Sequence, residues 1–209
     1  NTLSGNVFIP RTDVYIPGRG FDLDITFYYN SYFFNQEMGF GKGWSFKYAI
    51  KYINDTVPGR KIIFWGDGRE DNYDSLPGGN YQMPKGFFSK LVQYQPGKFR
   101  LTETDSTTYF FDNAMHKKIT RVQEPNGNFI NFNYTDSLLT SIVNTAGQTI
   151  SFTYNTGKLA TVVDAVAPLS RTYLYSYDAG GNLIEVTDPL GGKFKYTYLI
   201  NGPMKTLAD

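Results

Sequence analysis

The chain contains no cysteine and a single histidine, His116, among its 209 residues. A disulfide framework, thiol catalysis and thiolate metal sites are thereby excluded, and most imidazole chemistry goes with them. No run of 18 apolar residues occurs, so nothing here crosses a membrane as a helix. Charge of one sign is also missing: 20 basic against 19 acidic residues leave +1, too little field to hold nucleic acid or an anionic membrane by charge alone. No local basic patch stands out either. The lack of cysteine is permissive for export without requiring it. The chain opens on Asn1 with no basic or apolar leader, and is expected to be a segment of something longer whose targeting signals lie elsewhere.

What is abundant is aromatic. Seventeen Tyr, 17 Phe and 2 Trp accompany 21 Gly and 10 Pro, and 41% of residues are apolar, enough for a packed core. Tyr, Phe, Thr, Val and Ile fill the stretches between the Gly and Pro punctuation, which is strand composition separated by turn composition. The chain is therefore expected to be all-β. Apolar residues alternate with polar ones from Phe21 to Phe27, and again through Trp44, Phe46, Tyr48, Ile50 and Tyr52, as in half-buried strands. Gly66-Asp67-Gly68 and Pro96-Gly97 are the turns of two further hairpins. The best helix candidate, Phe87 to Leu91, competes with a strand.

The C-terminal half repeats. Asn128 to Tyr134 aligns with Gln148 to Tyr154, Arg171 to Tyr177 and Gly192 to Tyr198. Ile119, Leu139, Leu159 and Leu183 open the units, and Gly127, Gly147 and Gly191 stand in the turns. About twenty residues accommodate two short strands and two tight turns, so each unit is one hairpin. One face of such a hairpin is aromatic (Ile150, Phe152, Tyr154) and the other polar. A lone hairpin cannot bury that face, so neighbours are expected to join into a continuous, curved, strip-like antiparallel sheet. Turns are expected near Asn126-Gly127, Asp136-Ser137, Ala146-Gly147, Asn155-Gly157, Asp178-Gly181 and Leu190-Gly192. More than a third of residues should be strand and less than about a tenth helix.

Tyr177-Asp178-Ala179-Gly180-Gly181-Asn182-Leu183-Ile184-Glu185-Val186-Thr187-Asp188-Pro189-Leu190-Gly191 resembles the YD repeat of the RHS family, Y-D-x-x-G-x-L-x-x-V-x-D-P-x-G. The unit from Ile119 to Tyr134 is similar with Glu124 for Asp, and those from Leu139 and Leu159 are degenerate: Asn155 replaces the Asp after Tyr154, and Pro168 stands near the expected Gly. Gly5-Asn6-Val7, Asp13, Ile16-Pro17-Gly18-Arg19-Gly20, Tyr29-Asn30-Ser31 and Gly39-Phe40-Gly41-Lys42-Gly43-Trp44 resemble the region that opens the repeat shell in that family. The resemblance implies two parts, 1–115 as an N-terminal β region and 116–209 as about four hairpin repeats starting near 119, 139, 159 and 183. It implies structural repeat positions at Tyr134, Tyr154, Tyr177, Asp178, Gly181, Leu183, Asp188, Gly191 and Tyr198. It further implies a piece of a large secreted or surface bacterial protein, whose partners are its own remaining repeats and a C-terminal, in some members toxic, domain that a β-shell encloses. The family's autoproteolytic segment and toxin have no match here.

Catalytic readings are poorly supplied. The Gly39 to Gly43 cluster lacks the third glycine of G-x-G-x-x-G and any Walker Lys-Ser/Thr, and is expected to be a tight turn before Trp44. Asp67, Glu70, Asp71 and Asp74 lack calcium-loop spacing. His116 has no partner nucleophile in sight, and Asp178 is expected to cap backbone N–H groups of its turn. No catalytic residue, cofactor or metal site is expected, nor a nucleic-acid partner. Two function classes remain: a non-catalytic wall segment, which is preferred, and a carbohydrate-binding or adhesive module with exposed aromatics. Burial of Ile150, Phe152 and Tyr154 favours the first; open rows of Tyr beside Asp and Asn favour the second. If the shell normally continues past Asp209, the Lys193–Tyr198 strand lacks its next neighbour and should either self-associate weakly or pair with residues 200–207.

Overall fold

A computed structural model describes residues 5–18, 20–165 and 170–208. Arg19 of the Ile16 to Gly20 motif and Pro168 lie outside the described residues. The chain is all-β, 55% strand and 3% helix among the described residues, and every sheet pairing described is antiparallel. In chain order the strands are β1 (Phe8–Ile16), β2 (Leu23–Asn30), β3 (Trp44–Phe46), β4 (Lys51–Asn54), β5 (Lys61–Phe64), β6 (Glu70–Ser75), β7 (Tyr81–Gln82), β8 (Lys90–Gln95), β9 (Lys98–Thr102), β10 (Thr108–Phe111), β11 (Arg121–Gln123), β12 (Phe129–Thr135), β13 (Leu138–Asn144), β14 (Thr149–Asn155), β15 (Lys158–Asp164), β16 (Arg171–Tyr177), β17 (Leu183–Thr187), β18 (Lys193–Tyr198) and β19 (Met204–Ala208). They fall into two compact units, one of Asn1–Ile16, Leu23–Lys47 and Gln148–Asp209, the other of Pro17–Asp22 and Tyr48–Gly147.

In the first unit β1, β2 and β3 form one small sheet, and β14 to β19 follow one another as consecutive hairpins. Alternation puts Leu23, Ile25, Phe27 and Tyr29 of β2 on its buried side. They meet the aromatic face of the hairpins: Phe27 lies 5.6 Å from Tyr175, Trp44 5.1 Å from Tyr196 and Phe46 5.8 Å from Phe152, ring centre to centre. The tilted and edge-on geometries are those aromatic quadrupoles favour. A hairpin strip that cannot bury one face alone thus buries it under the N-terminal strands.

In the second unit β4 to β7 form a four-stranded sheet and β8 to β13 run consecutively. Tyr52 of β4 packs 4.5 Å from Phe99 and 5.8 Å from Phe111, over a core that includes Ile63, Tyr73, Leu91, Ile119 and Ile130. The expected turns fall between strands at all six places.

Two local expectations are corrected. The alternation from Trp44 to Tyr52 is two strands, since the chain turns at Lys47 and Tyr48 and resumes as β4 at Lys51. Tyr48 and Ile50 are still buried, so period-2 burial persists although ladder pairing does not. In the stretch Phe87 to Leu91 the helix is absent and the competing strand is present in part: residues 87–89 are irregular, and Lys90 and Leu91 open β8. Of the two expectations for the Lys193–Tyr198 strand, the intramolecular one is present: β19 pairs with β18, Tyr196 opposite Leu207.

Candidate functional site: a glycine clasp and a buried arginine on the repeats

The repeat tyrosines share a place that composition alone does not reveal. The antiparallel register shifts at each of them, between Asn133 and Tyr134, Thr153 and Tyr154, Ser176 and Tyr177, and Thr197 and Tyr198. A bulge re-aims a side chain and tightens local twist. Beyond it, Tyr134, Tyr154 and Tyr177 pair with Leu139, Leu159 and Leu183, the residues that open the next unit. The ring meanwhile reaches back to its own unit's start: Tyr134 Oη donates to the Ile119 carbonyl at 2.9 Å, and Tyr198 Oη to that of Leu183 at 2.8 Å. One side chain so ties two successive units. Burial holds the Tyr154, Tyr177 and Tyr198 phenols well above their usual pKa, so they stay neutral. The Tyr177 hydroxyl is buried with no hydrogen-bond partner among the described residues.

The turn residues cap their own backbone. Asp178 accepts from the Asn182 N–H at 2.8 Å and from its side-chain amide at 2.9 Å. Slight burial opposes ionisation, but these bonds and the Gly180 and Gly181 N–H groups hold the carboxyl below its usual range. Asp188 accepts from the N–H groups of Leu190 and Gly192, both at 2.8 Å. Gly181 and Gly191 sit at φ +85° and +88°, where a Cβ is strained.

Onto these turns the N-terminal region lays a loop. Gly39, Gly41 and Gly43 all have positive φ, +91°, +100° and +77°. The resulting concavity of N–H groups has the makings of an anion cradle, and the chain fills it itself: Glu37 Oε1 accepts from Gly39 at 2.8 Å and Gly41 at 3.1 Å. Held that way, the loop makes backbone bonds to the repeats, Leu159 N–H to the Gly39 carbonyl at 2.8 Å and Lys42 N–H to the Gly181 carbonyl at 3.2 Å. A Cβ on Gly41 would stand 2.9 Å from Leu183 Cβ and 3.2 Å from Tyr177 Cε1. Gly181, Leu183 and Tyr177 are thus the surface on which the clasp sits. The turn expected before Trp44 is present.

Beside the clasp, β1 sends a charged pair into the aromatic core. Arg11 and Asp13 face each other through two bonds, Nε to Oδ1 at 2.7 Å and Nη2 to Oδ2 at 2.9 Å, and their side chains are 10% and 3% exposed. Buried charge persists only when paired and hydrogen-bonded. Arg11 Nη1 also donates to Tyr196 Oη at 2.6 Å, Tyr175 Oη donates to Asp13, and the guanidinium lies 5.0 Å from the Trp44 ring centre. Trp44 Nε1 donates to Tyr198 Oη at 3.0 Å, and Tyr29 Oη accepts the Met204 N–H at 2.6 Å. The polar tips of Trp44 and Tyr29 thus each find a partner on a repeat strand. Sequence inspection missed the charged pair; its one signal was an Arg and an Asp two residues apart in a strand otherwise bound for burial.

Three of the four carboxylates weighed for catalysis are occupied. Asp71 accepts from Trp65 Nε1 at 2.6 Å and pairs with Arg69 at 3.2 Å, Asp74 pairs with Arg60 at 2.6 Å, and Asp67 caps the Arg69 N–H at 3.0 Å. His116 stacks 4.5 Å from the Tyr134 ring and accepts the Lys118 N–H on Nδ1 at 3.1 Å. Burial, then the nearby Lys118 charge, lowers its pKa. Among the described residues no three His, Cys, Asp or Glu side chains gather as a metal site, and no helix is long and apolar enough to cross a membrane. The arrangement can hold strands together.

Comparison with known proteins finds two partial family matches. Residues 165–193 match the RHS repeat, and residues 1–73 match a domain of unknown function, DUF6531, so the chain carries an RHS repeat and the resemblance read from Tyr177 to Gly191 holds. Among curated relatives it is similar to the tRNA3(Ser)-specific nuclease WapA of Bacillus spizizenii and the tRNA nuclease WapA of Bacillus subtilis strain 168. Each is 28% identical over 275 aligned positions that take in the whole chain. The chain spans 12% of the length of these relatives.

Proposed function

We propose that the chain is a non-catalytic wall segment of a larger secreted or surface bacterial protein of the RHS/YD-repeat type, in which residues 1–115 cover the aromatic face of the hairpin repeats in 116–209. The wall encloses or displays a C-terminal domain, and any nuclease activity like that named for the relatives resides in that domain. Its partners are the remaining repeats and C-terminal domain of its own parent. The observation that carries this reading is the clasp: backbone bonds from Gly39 and Lys42 land on Leu159 and Gly181, residues that open a repeat or form its turn. Ile150 and Phe152 are buried at 0% and 4% exposure, which supports a wall over a glycan platform, since stacked sugars need open rings. Tyr134, Tyr154, Tyr177, Asp178, Gly181, Leu183, Asp188, Gly191 and Tyr198 are assigned as the structural repeat set.

Limited trypsin digestion of the parent protein tests this, followed by blotting for its C-terminal domain. The domain should resist digestion in the intact protein and become sensitive when Gly41→Ala loosens the clasp. Equal digestion in both proteins, at the rate of the isolated domain, would refute enclosure. A parallel assay with tRNA should find no cleavage by the 209-residue chain.

A further inference from the structure

The charge balance of +1 conceals a local imbalance. Residues 75–102 contain Lys85, Lys90, Lys98 and Arg100 and no Asp or Glu. Within that stretch the connection between β7 and β8 presents apolar side chains outward: Met83 is 40% exposed, Phe87 39% and Phe88 74%. Exposed single hydrophobes need no explanation, but adjacent phenylalanines at a loop tip do.

The tip is a hydrogen-bonded turn. The Phe87 N–H donates to the Pro84 carbonyl at 3.2 Å across a turn whose Gly86 has φ +82°. At its base Ser89 is 2% exposed and shares a 2.6 Å hydrogen bond with Tyr73 Oη inside the core. The Arg69 guanidinium stands 5.5 Å from the Phe87 ring centre. Asp71, which pairs with that same Arg69, is also engaged by Trp65. Lys85 and Lys90 flank the phenylalanines, and neither forms an ion pair among the described residues.

We propose that the Met83–Phe88 loop is a membrane-contact tip that inserts Phe87 and Phe88 into the interface of an anionic bilayer while Lys85 and Lys90 meet the lipid phosphates. Aromatic rings favour the headgroup boundary, lysine stems extend along apolar surface with the ammonium in water, and each basic residue near an anionic surface adds to binding. A turn fixed before binding loses little entropy on docking. This proposal is independent of the wall function, because it concerns a loop outside the repeats.

Co-sedimentation of the purified chain with phosphatidylglycerol/phosphatidylcholine vesicles, against pure phosphatidylcholine vesicles, tests it. Binding is expected to the anionic vesicles and to fall by about tenfold in Phe88→Ser and in Lys85→Glu. Phe88→Trp should bind as the parent chain does, and its added fluorescence should shift blue and be quenched by brominated lipid tails. Phe88 is mostly exposed, so circular dichroism of these variants should match the parent chain. Failure to bind anionic vesicles overturns the proposal. So does binding that Phe88→Ser leaves unchanged, or added fluorescence in Phe88→Trp that the brominated tails leave unquenched. Concentration-dependent self-association that Phe88→Ser abolishes would assign the tip to a second copy of the chain instead.

Discussion

Replacing Gly41 by Ala isolates the contribution of the clasp, because two costs separate cleanly there. The first is backbone: at φ +100° an added Cβ is strained by about 1–2 kcal/mol. The second is contact: that Cβ would lie 2.9 Å from Leu183 Cβ and 3.0 Å from its backbone nitrogen, an overlap of the kind that costs about 1–3 kcal/mol in packed interiors. Together these give a loss of about 2–5 kcal/mol. Gly191→Ala is the matched control in the same unit, since its φ is +88° and a Cβ there meets nothing within 4 Å. It should lose only the backbone share, about 1–2 kcal/mol. Urea unfolding followed by tryptophan fluorescence measures both, with Trp44 buried beside the clasp and the stability read at constant slope. If the two alanines cost the same, the loop is not seated on Leu183 and the clasp argument fails.

Other expectations follow the same geometry. Arg11→Met leaves Asp13 buried without its partner and should cost about 3–5 kcal/mol, whereas Arg11→Met with Asp13→Leu should cost less than the two singles summed; additivity in thermal unfolding would contradict a coupled pair. Phe152→Ala should lose about 3–5 kcal/mol and Thr153→Ala, on the exposed side, within about 0.5 kcal/mol; similar small losses at both would mean the face is solvated. Ser106 holds φ +68° without being glycine, so Ser106→Gly should be neutral or raise stability by up to about 1 kcal/mol, and a clear loss would point to a side-chain role. Asp178 has a folded pKa below its unfolded value, so its contribution is present above about pH 4 and is lost as pH falls through the folded value. Asp178→Asn should flatten that acid limb of the stability profile; an unchanged limb would show that the turn bonds do not depend on the charge.

The hairpins were legible because each unit repeats two signals of different range, alternation along a strand and glycine chemistry between strands. Tyr134, Tyr154, Tyr177 and Tyr198 stood out for the same reason, yet their bulges did not, since a bulge is a mismatch between two strands and neither strand carries it alone. The break at Lys47 escaped because Tyr48 and Ile50 remain buried, and periodicity reports burial rather than pairing. The Gly39 to Gly43 turn was evident in composition, but its filling by Glu37 depends on φ values that place two N–H groups on one carboxylate. Arg11 and Asp13 were hidden by average behaviour: charged residues in strands usually face water, and what buries these two is Tyr175 and Tyr196, far away along the chain. The basic, acid-free stretch around Phe88 was masked by the balanced total.

The most direct test of the wall assignment is an electron cryomicroscopy map of the whole parent protein. Density is expected for residues 39–43 lying against Gly181 and Leu183, with the rings of Phe152, Tyr175 and Tyr196 covered by the N-terminal strands and the C-terminal domain bounded by the repeat wall. A map with the 39–43 loop detached, those rings facing open solvent and the C-terminal domain outside the repeats would contradict it.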